Sequence, residues 1–413
     1  MTKADNYMKE NISNILANGY LDENPRPHYK DGTPAHTYSV NHVVRTYDLS
    51  KNEFPICTLR PIAIKTGIKE ILAIYQNQSN RISEFERMGC GWWKDWELEN
   101  GTIGRSYPYN IESHRLNEMK KDIIKIEKKV FDKKEAATEF ILGNYNTVKN
   151  FTNEEIQELK FIWINMIMNC QNNQTFVDKK WNSFEQFLKD VRYIPQYFLA
   201  REDNFDDWVL SKDYYMSNCY SKDTCVFLRK DELKLLNDSL YREELSRNQV
   251  IELIKELKSD PYGRRHIMSF WNWSNIKKKA LVECAFETIW NVRNKDGEKY
   301  LDMCLIQRSG DMLTASGAGG INESQYAALL LMISKATHYK PGIFTHFVAN
   351  EQIYDRHLDA AKEMLERFDE NKKENISITL NSNTDDFFQM SVNDFEIKNY
   401  EPIKPQLTLD LGI

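Results

Sequence analysis

Apolar positions along this chain change their period several times, and each change marks an element. Residues 5–20 and "TGIKEILAIYQNQ" (66–78) repeat apolar side chains at three- and four-residue spacing, which predicts helices with one buried face. Between them, "KDGTPAHTYSVNHVVRTYDL" (30–49) predicts a Gly/Pro turn running into β structure. Further on, "ALVECAFETIWNVR" (280–293), the turn "NKDG" (294–297) and "YLDMCLIQRS" (300–309) have the form of a long hairpin. The run "ESQYAALLLMISKAT" (323–337) is apolar enough for a buried helix. "KPGIFTHFVANEQIYDRH" (340–357) reads as a strand, "LDAAKEMLERF" (358–368) as an amphipathic helix, and "SITL" (377–380) and "QLTLDL" (406–411) as short closing strands. From about 112 to 250 the texture differs: Lys/Glu-rich helical stretches alternate with aromatic ones, as in an inserted module.

Composition narrows the class. With 413 residues the chain suits two domains or one carrying an insertion. Its 41% hydrophobic and 28% charged residues and net charge of −6 are those of a soluble globular protein with no basic excess to draw it onto nucleic acid. No run of eighteen uncharged apolar residues and no signal-like start is present, so a cytoplasmic location without membrane contact is expected. Seven cysteines without a CxxC pair or paired histidine spacing argue for reduced thiols, against disulfides and against a metal site.

Several residues stand out chemically. Cys284 lies in an apolar strand, where most cysteines are inert packing residues; as a nucleophile its thiolate would need cationic help. Arg264 and Arg265 in "YGRRHI", and Arg308 with Ser309 in "QRSGD", are groups that bind phosphate, although surface ion pairing explains many single arginines. Glu70 occupies the apolar face of its helix, where a carboxylate is costly and tends to take a raised pKa. "WWKDW" (Trp92, Trp93, Trp96) serves either a core or an aromatic ligand wall. The glycines of "TASGAGGINES" lack the spacing of either phosphate-binding glycine motif.

In order and approximate spacing, "DGTPAHTYS", "FPICTLRPIAIKTGIKEIL", "WWKDWELENGTIGRSY", "GRRHIMSFWN", "ALVECAFETIW", "QRSGDM", "INESQYA" and "IYDRH" resemble the thymidylate synthase family, over about two thirds of the chain. The resemblance implies an α+β fold with a large mixed β-sheet and flanking helices, in segments 1–139 and 241–413, with 140–240 as a mostly helical inserted module. It implies one-carbon transfer from 5,10-methylenetetrahydrofolate to C5 of dUMP, giving dTMP, with Cys284 as the nucleophile that adds to C6. Arg308, Ser309 and Arg26 match phosphate-binding residues, and Arg264 and Arg265 the pair donated by a second subunit of a homodimer with shared sites. Asn322 matches the asparagine at the uracil edge, Tyr354 the ribose contact, and Glu70 the glutamate of proton transfer. Trp93, Asp311 and Tyr107 match residues around the folate pterin and the proton relay. Arg60 matches a contact to the folate tail, and Leu281, with Trp93, a shield of the intermediate.

Departures cluster around the base. Glu283 replaces the family proline before the nucleophile, Ala285 follows it, "ASGAGGIN" (315–322) lengthens a glycine loop, and Asn350 and Gln352 stand where Asp and His are usual. A new carboxylate beside the nucleophile opens a second outcome, dUMP hydroxymethylation by water capture. A nucleotide- or nucleic-acid-binding pseudoenzyme is the other alternative. The inserted module is similar in texture to accessory segments of HNH-type homing endonuclease proteins, which are commonly phage-borne. It has no histidine between His114 and His266, and its charges are mixed, which argues against nuclease chemistry and against DNA contact.

Overall fold

The computed structural model describes residues 1–111, 151–171, 175–203, 205–215, 217, 219–235 and 248–412. The chain divides into two compact units, residues 1–110 with 253–413, and 111–252. The expected module boundaries at 139/140 and 240/241, and the charged helical stretch within 112–150, lie outside the described residues.

The larger unit begins with α1 (Lys3–Asn18), whose first turn is closed by a reciprocal cap between Thr2 and Asp5. Strands β1 (Tyr20–Leu21) and β2 (Thr37–Asp48) follow, then α2 (Ile64–Leu72), which widens into a π-type turn over Ala73–Asn77 just after Glu70. After the second unit come β3 (Ile267–Ser269), β4 (Ala285–Lys295), β5 (Glu298–Gln307) and β6 (Gly310–Asp311), then α3 (Ile321–Thr337), β7 (Lys340–Tyr354) and α4 (Leu358–Glu366). The strands form one mixed sheet in the order β1-β2-β7-β5-β4-β3, with β6 beside β7. β7 runs parallel to β5 and antiparallel to β2. The β4–β5 hairpin turns on Asp296 and Gly297, both at positive φ, the two-residue turn that matches strand twist.

Helix α3 is buried nearly all round and packs against α2 and the inner face of the sheet. Gly67 permits the α2 approach, since a Cβ there would stand 3.2 Å from Gln325 Cγ. The contact carries polar side chains as well as apolar ones. Arg45 of β2, fully buried, donates from Nε to Glu323 Oε1 and from Nη1 to Glu351 Oε1, each at 2.5 Å. Its Nη2 donates to the Ser316 carbonyl at 2.8 Å. Glu323 also accepts from the Tyr47 hydroxyl (2.6 Å) and from the Gly319 N–H (2.7 Å). These bonds hold the Glu323 carboxyl down at about 2 despite its burial, whereas burial pushes Glu351 up. The lengthened glycine loop is thus fastened at Ser316 and Gly319. Gly319, at φ +65°, leaves no room for a Cβ, which would fall 2.3 Å from the Cys57 nitrogen.

The strand "SITL" forms as expected and pairs with Phe395–Lys398. Residues 406–411 do not form one, although they alternate correctly: they pair with no strand among the described residues. Gln406 Nε2 donates to the Pro61 carbonyl, and the Asp410 carbonyl faces His357 Nε2 at 2.8 Å.

Among the described residues of the second unit, three helices (Asn153–Gln171, Phe184–Val191, Tyr197–Glu202) accompany two short strand pairs around Trp181, Phe187, Tyr197 and Phe227. Among the described residues no helix is long and apolar enough to cross a membrane.

Replacing Arg45 with Met leaves Glu323 and Glu351 buried without a counter-charge. Urea unfolding should report a loss of about 3–5 kcal/mol; a loss below about 1 kcal/mol would show that the cluster contributes little to the fold.

Candidate active site

The strand β4 begins immediately after Cys284, and register with β5 brings Arg308 alongside: the Arg308 N–H donates to the Cys284 carbonyl at 2.9 Å. The guanidinium folds back over the same segment, donating from Nε to the Glu283 carbonyl and from Nη2 to the Val282 carbonyl, both at 2.9 Å. That leaves Nη2 3.6 Å from Cys284 Sγ, and Nη1 without a partner among the described residues. Burial pushes the Cys284 thiol up; the Arg308 charge pulls it down, Glu283 adds to the rise, and Arg26 opposes it from an exposed loop. A second copy's arginines or a cationic neighbour would move the balance further toward thiolate.

Tyr107, in the short turn Tyr107–Asn110, has its hydroxyl 3.1 Å from the Cys284 nitrogen, accepting that N–H. Its ring meets Trp93 (centroids 5.5 Å apart) and Phe270 (5.6 Å) edge to face. Glu283 holds this turn in place. Its Oε1 accepts from Tyr107 N–H (2.8 Å) and Asn110 Nδ2 (3.1 Å), and its Oε2 pairs with Lys279 Nζ at 2.5 Å, both side chains fully buried. The carboxylate expected to activate water is therefore committed to positioning Tyr107, and through Tyr107 the backbone of Cys284.

Glu70 is half-buried at the end of α2. Oε1 accepts from Trp93 Nε1 at 2.7 Å and Oε2 from Gln325 Nε2 at 2.5 Å. Burial nevertheless dominates and pushes its pKa up to about 7, so the carboxyl can hold or release a proton at neutral pH. Asn322, at the start of α3, donates from Nδ2 to Gln325 Oε1 at 3.2 Å. Its Oδ1 accepts from Gln307 Nε2 at 3.4 Å, and the same Gln307 nitrogen donates to the Ser309 carbonyl at 2.9 Å.

Asp311 caps the turn that follows β6 by bonding Thr314, and burial raises its pKa against the pull of His357, whose Nδ1 is 3.9 Å away. Tyr354 packs against His357 and Tyr29; its hydroxyl is pushed up to about 12 by burial, by Asp311 and by Cys284.

The structure thus brings Cys284, Arg308, Tyr107, Trp93 and Glu70 into one connected group, with Asn322 and Ser309 joined to it through Gln307 and Gln325. Leu281 joins by its carbonyl, which accepts from the Ser106 hydroxyl. Gln352 stands in register with Asp311 and walls a cleft of about 460 Å³ lined also by Tyr20, Asp22, Asn24, Thr37 and Ser39. Arg60 turns inward onto the Leu313 and Thr314 carbonyls. Arg264 and Arg265 are exposed and bond to nothing among the described residues. Sequence reasoning missed Lys279, Gln307, Gln325 and His346; the only trace was polar side chains, such as Glu323 and Gln325, inside an otherwise apolar helix. Among the described residues no group of His, Cys, Asp or Glu is placed to hold a metal.

The chain resembles known proteins along its whole length. The family model described as thymidylate synthase matches residues 5–183 and 144–411. Thymidylate synthases of Streptococcus pneumoniae and Streptococcus suis are each 31% identical over 416 residues, covering all of this chain and all of the relative. Among solved structures, thermostable thymidylate synthase A from Bacillus subtilis is similar in fold, with a TM-score of 0.61 and 23% identity over 99% of both chains.

The raised pKa of Glu70 gives a signed prediction. The folded state binds this proton more tightly (about 7) than an unfolded chain does (4.5), so stability falls as pH rises between those values. Glu70→Gln removes that slope. Denaturation at pH 5 and pH 8 should show the variant gaining on the parent at the higher pH while turnover drops by roughly 10²–10⁴-fold; an equal pH response in both proteins would contradict the assignment.

Proposed function

The chain belongs to the thymidylate synthase family, and from that premise we propose that it methylates dUMP at C5, using 5,10-methylenetetrahydrofolate, to make dTMP. The observation that carries this reading is the Cys284 sulfur 3.6 Å from a guanidinium nitrogen, with its own backbone N–H anchored by Tyr107.

The thiolate of Cys284 adds to C6 of the pyrimidine. The C5=C6 double bond opens, and its electron pair is delocalised over C5 and O4, making C5 the nucleophile. Arg308 favours the thiolate that begins this step, and its free Nη1, with Ser309 and Arg26, suits the nucleotide phosphate. Asn322 presents an amide to N3 and O4 of uracil, and Tyr354 a hydroxyl to the ribose. Glu70, titrating about pH 7, exchanges a proton with the O4 side of the ring as charge builds there. Loss of the C5 proton and departure of the Cys284 thiolate restore the double bond.

The residues present suit a folate. Trp93 offers a broad aromatic surface, and Asp311 a carboxyl for the N–H edge of a pterin. His357 Nδ1 and Arg60 Nε are buried without a hydrogen-bond partner, as in a site completed by another molecule. When bound, 5,10-methylenetetrahydrofolate supplies the one-carbon unit and the hydride that reduces it. Leu281 and Trp93 keep water from the reacting carbon. The new carboxylate that suggested water capture, Glu283, is already bonded to Lys279, Tyr107 and Asn110, which favours methylation. Retention of the nucleophile and its cationic support likewise favours an enzyme over a binding-only protein. Arg264 and Arg265, exposed and unpaired among the described residues, are assigned to the phosphate site of a second copy in a homodimer.

Incubation with dUMP and 5,10-methylenetetrahydrofolate, with both products identified, tests the reading. dTMP with dihydrofolate is expected. 5-Hydroxymethyl-dUMP with tetrahydrofolate would overturn methylation in favour of water capture, and no product would overturn the enzyme reading. Cys284→Ser should lower turnover by more than about a thousandfold.

A further inference from the structure

One buried polar side chain in the core of the larger unit, His346 of β7, takes no part in the steps above. Register places it directly opposite Arg45 of β2, and both side chains are fully buried. Arg45 Nη2 lies 3.1 Å from His346 Nδ1, and His346 Nε2 lies 3.0 Å from Gln307 Oε1.

The sense of every bond here can be worked out. A guanidinium has only donors, so Nδ1 is the accepting nitrogen and the single proton of a neutral imidazole sits on Nε2, donating to Gln307 Oε1. The opposite tautomer would donate from Nδ1 to Glu323 Oε1, 3.0 Å away, but would turn that same proton against the Arg45 Nη2 donor. It would also set the Nε2 lone pair against Gln307 Oε1. Turning the Gln307 amide over to relieve that clash would aim Oε1 at the Ser309 carbonyl and Asn322 Oδ1, two more acceptors. Burial lowers the His346 pKa, in keeping with a neutral ring.

One directed chain of hydrogen bonds results. Arg45 donates to His346, His346 to Gln307, Gln307 to Asn322 Oδ1, Asn322 Nδ2 to Gln325 Oε1, and Gln325 Nε2 to Glu70. It starts at a group that can only donate and, with Glu70 ionised, ends on an oxygen that can only accept, so none of the three amides between can then reverse without breaking it.

We propose that His346 is a specificity-determining positioning residue: together with the Ser309 carbonyl it holds Gln307 in one sense, and through Gln307 it fixes the donor and acceptor sense of Asn322, so that the site takes a 4-oxo pyrimidine and rejects a 4-amino one. This rests on the assignment of Asn322 to the base edge made above. Uracil offers N3–H as donor and O4 as acceptor, and cytosine offers the reverse at both atoms. An asparagine amide free to turn serves either; one held in a single sense serves uracil.

Equilibrium binding of dUMP and of dCMP to the full-length protein tests this, because a loss of stability weakens both nucleotides alike and leaves their ratio unmoved. His346→Gln can accept from Arg45 and donate to Gln307, and should keep the parent's preference for dUMP. His346→Phe fills the space without a donor, and should reduce the dUMP-to-dCMP ratio by at least about tenfold, the order expected when a polar group that reads the base loses its orientation. Should the Phe variant not fold, His346→Asn, one methylene shorter than Gln, is expected to lose the preference that Gln retains. An unchanged ratio in every folded variant lacking the donor overturns the proposal while leaving the functional reading intact. A parent protein that binds neither nucleotide overturns both.

Discussion

A guanidinium held out of water between two carboxylates is the constraint on which the larger unit is built. Arg45 cannot shed its proton, and with Glu323 and Glu351 each 2.5 Å away it has no reason to. Burying such a group requires every one of its donors to find an acceptor. That requirement fixes more than the ion pairs: it seats the glycine loop at Ser316, ties α3 to β2 and β7, and dictates which nitrogen of His346 carries the proton. A well-packed apolar core in the same place would hold α3 on the sheet but would give no direction to the amides beyond it.

A second buried pair plays a matching part on the other side of the nucleophile. Lys279 and Glu283 exclude water from each other, and the remaining oxygen of Glu283 sets the Tyr107 turn, whose hydroxyl in turn receives the Cys284 N–H. Both flanks of the site are therefore positioned by fully buried ion pairs. Glu70, by contrast, has no counter-ion among the described residues, and burial raises its pKa instead of being cancelled. The contrast separates the carboxyls that position from the one proposed to exchange protons.

Much of this was legible in the sequence, for identifiable reasons. The Asp-Gly turn and alternating flanks of the β4–β5 hairpin are local signals, as is the uninterrupted apolar run of α3, and both formed where expected. Cys284, Arg308 and Asn322 were legible only through motifs shared with a family, since nothing local distinguishes a catalytic cysteine from a packing one. The Arg45 cluster was hidden because its members come from β2, α3 and β7, up to 306 residues apart. Alternation in a strand says that position 45 faces inward, and an arginine there reads as an exception until its partners are known. Glu283 misled in the opposite way: its place beside the nucleophile suggested chemistry, and only the Lys279 and Asn110 contacts show that its oxygens are occupied. The tail at 406–411 has the alternation of a strand, but it pairs with no strand among the described residues.

The central claim is that a permanent donor in the core imposes one direction on the hydrogen bonds that reach the base-reading amide and Glu70. Nitrogen-15 NMR of the His346 imidazole, assigned by comparison with a protein lacking that histidine, measures the link on which this direction depends. The spectrum at about pH 8 should be that of a neutral ring protonated at Nε2, with any titration displaced below the ordinary histidine range by burial. A ring protonated at Nδ1, or one that titrates near the ordinary histidine value of about 6.5, would contradict it.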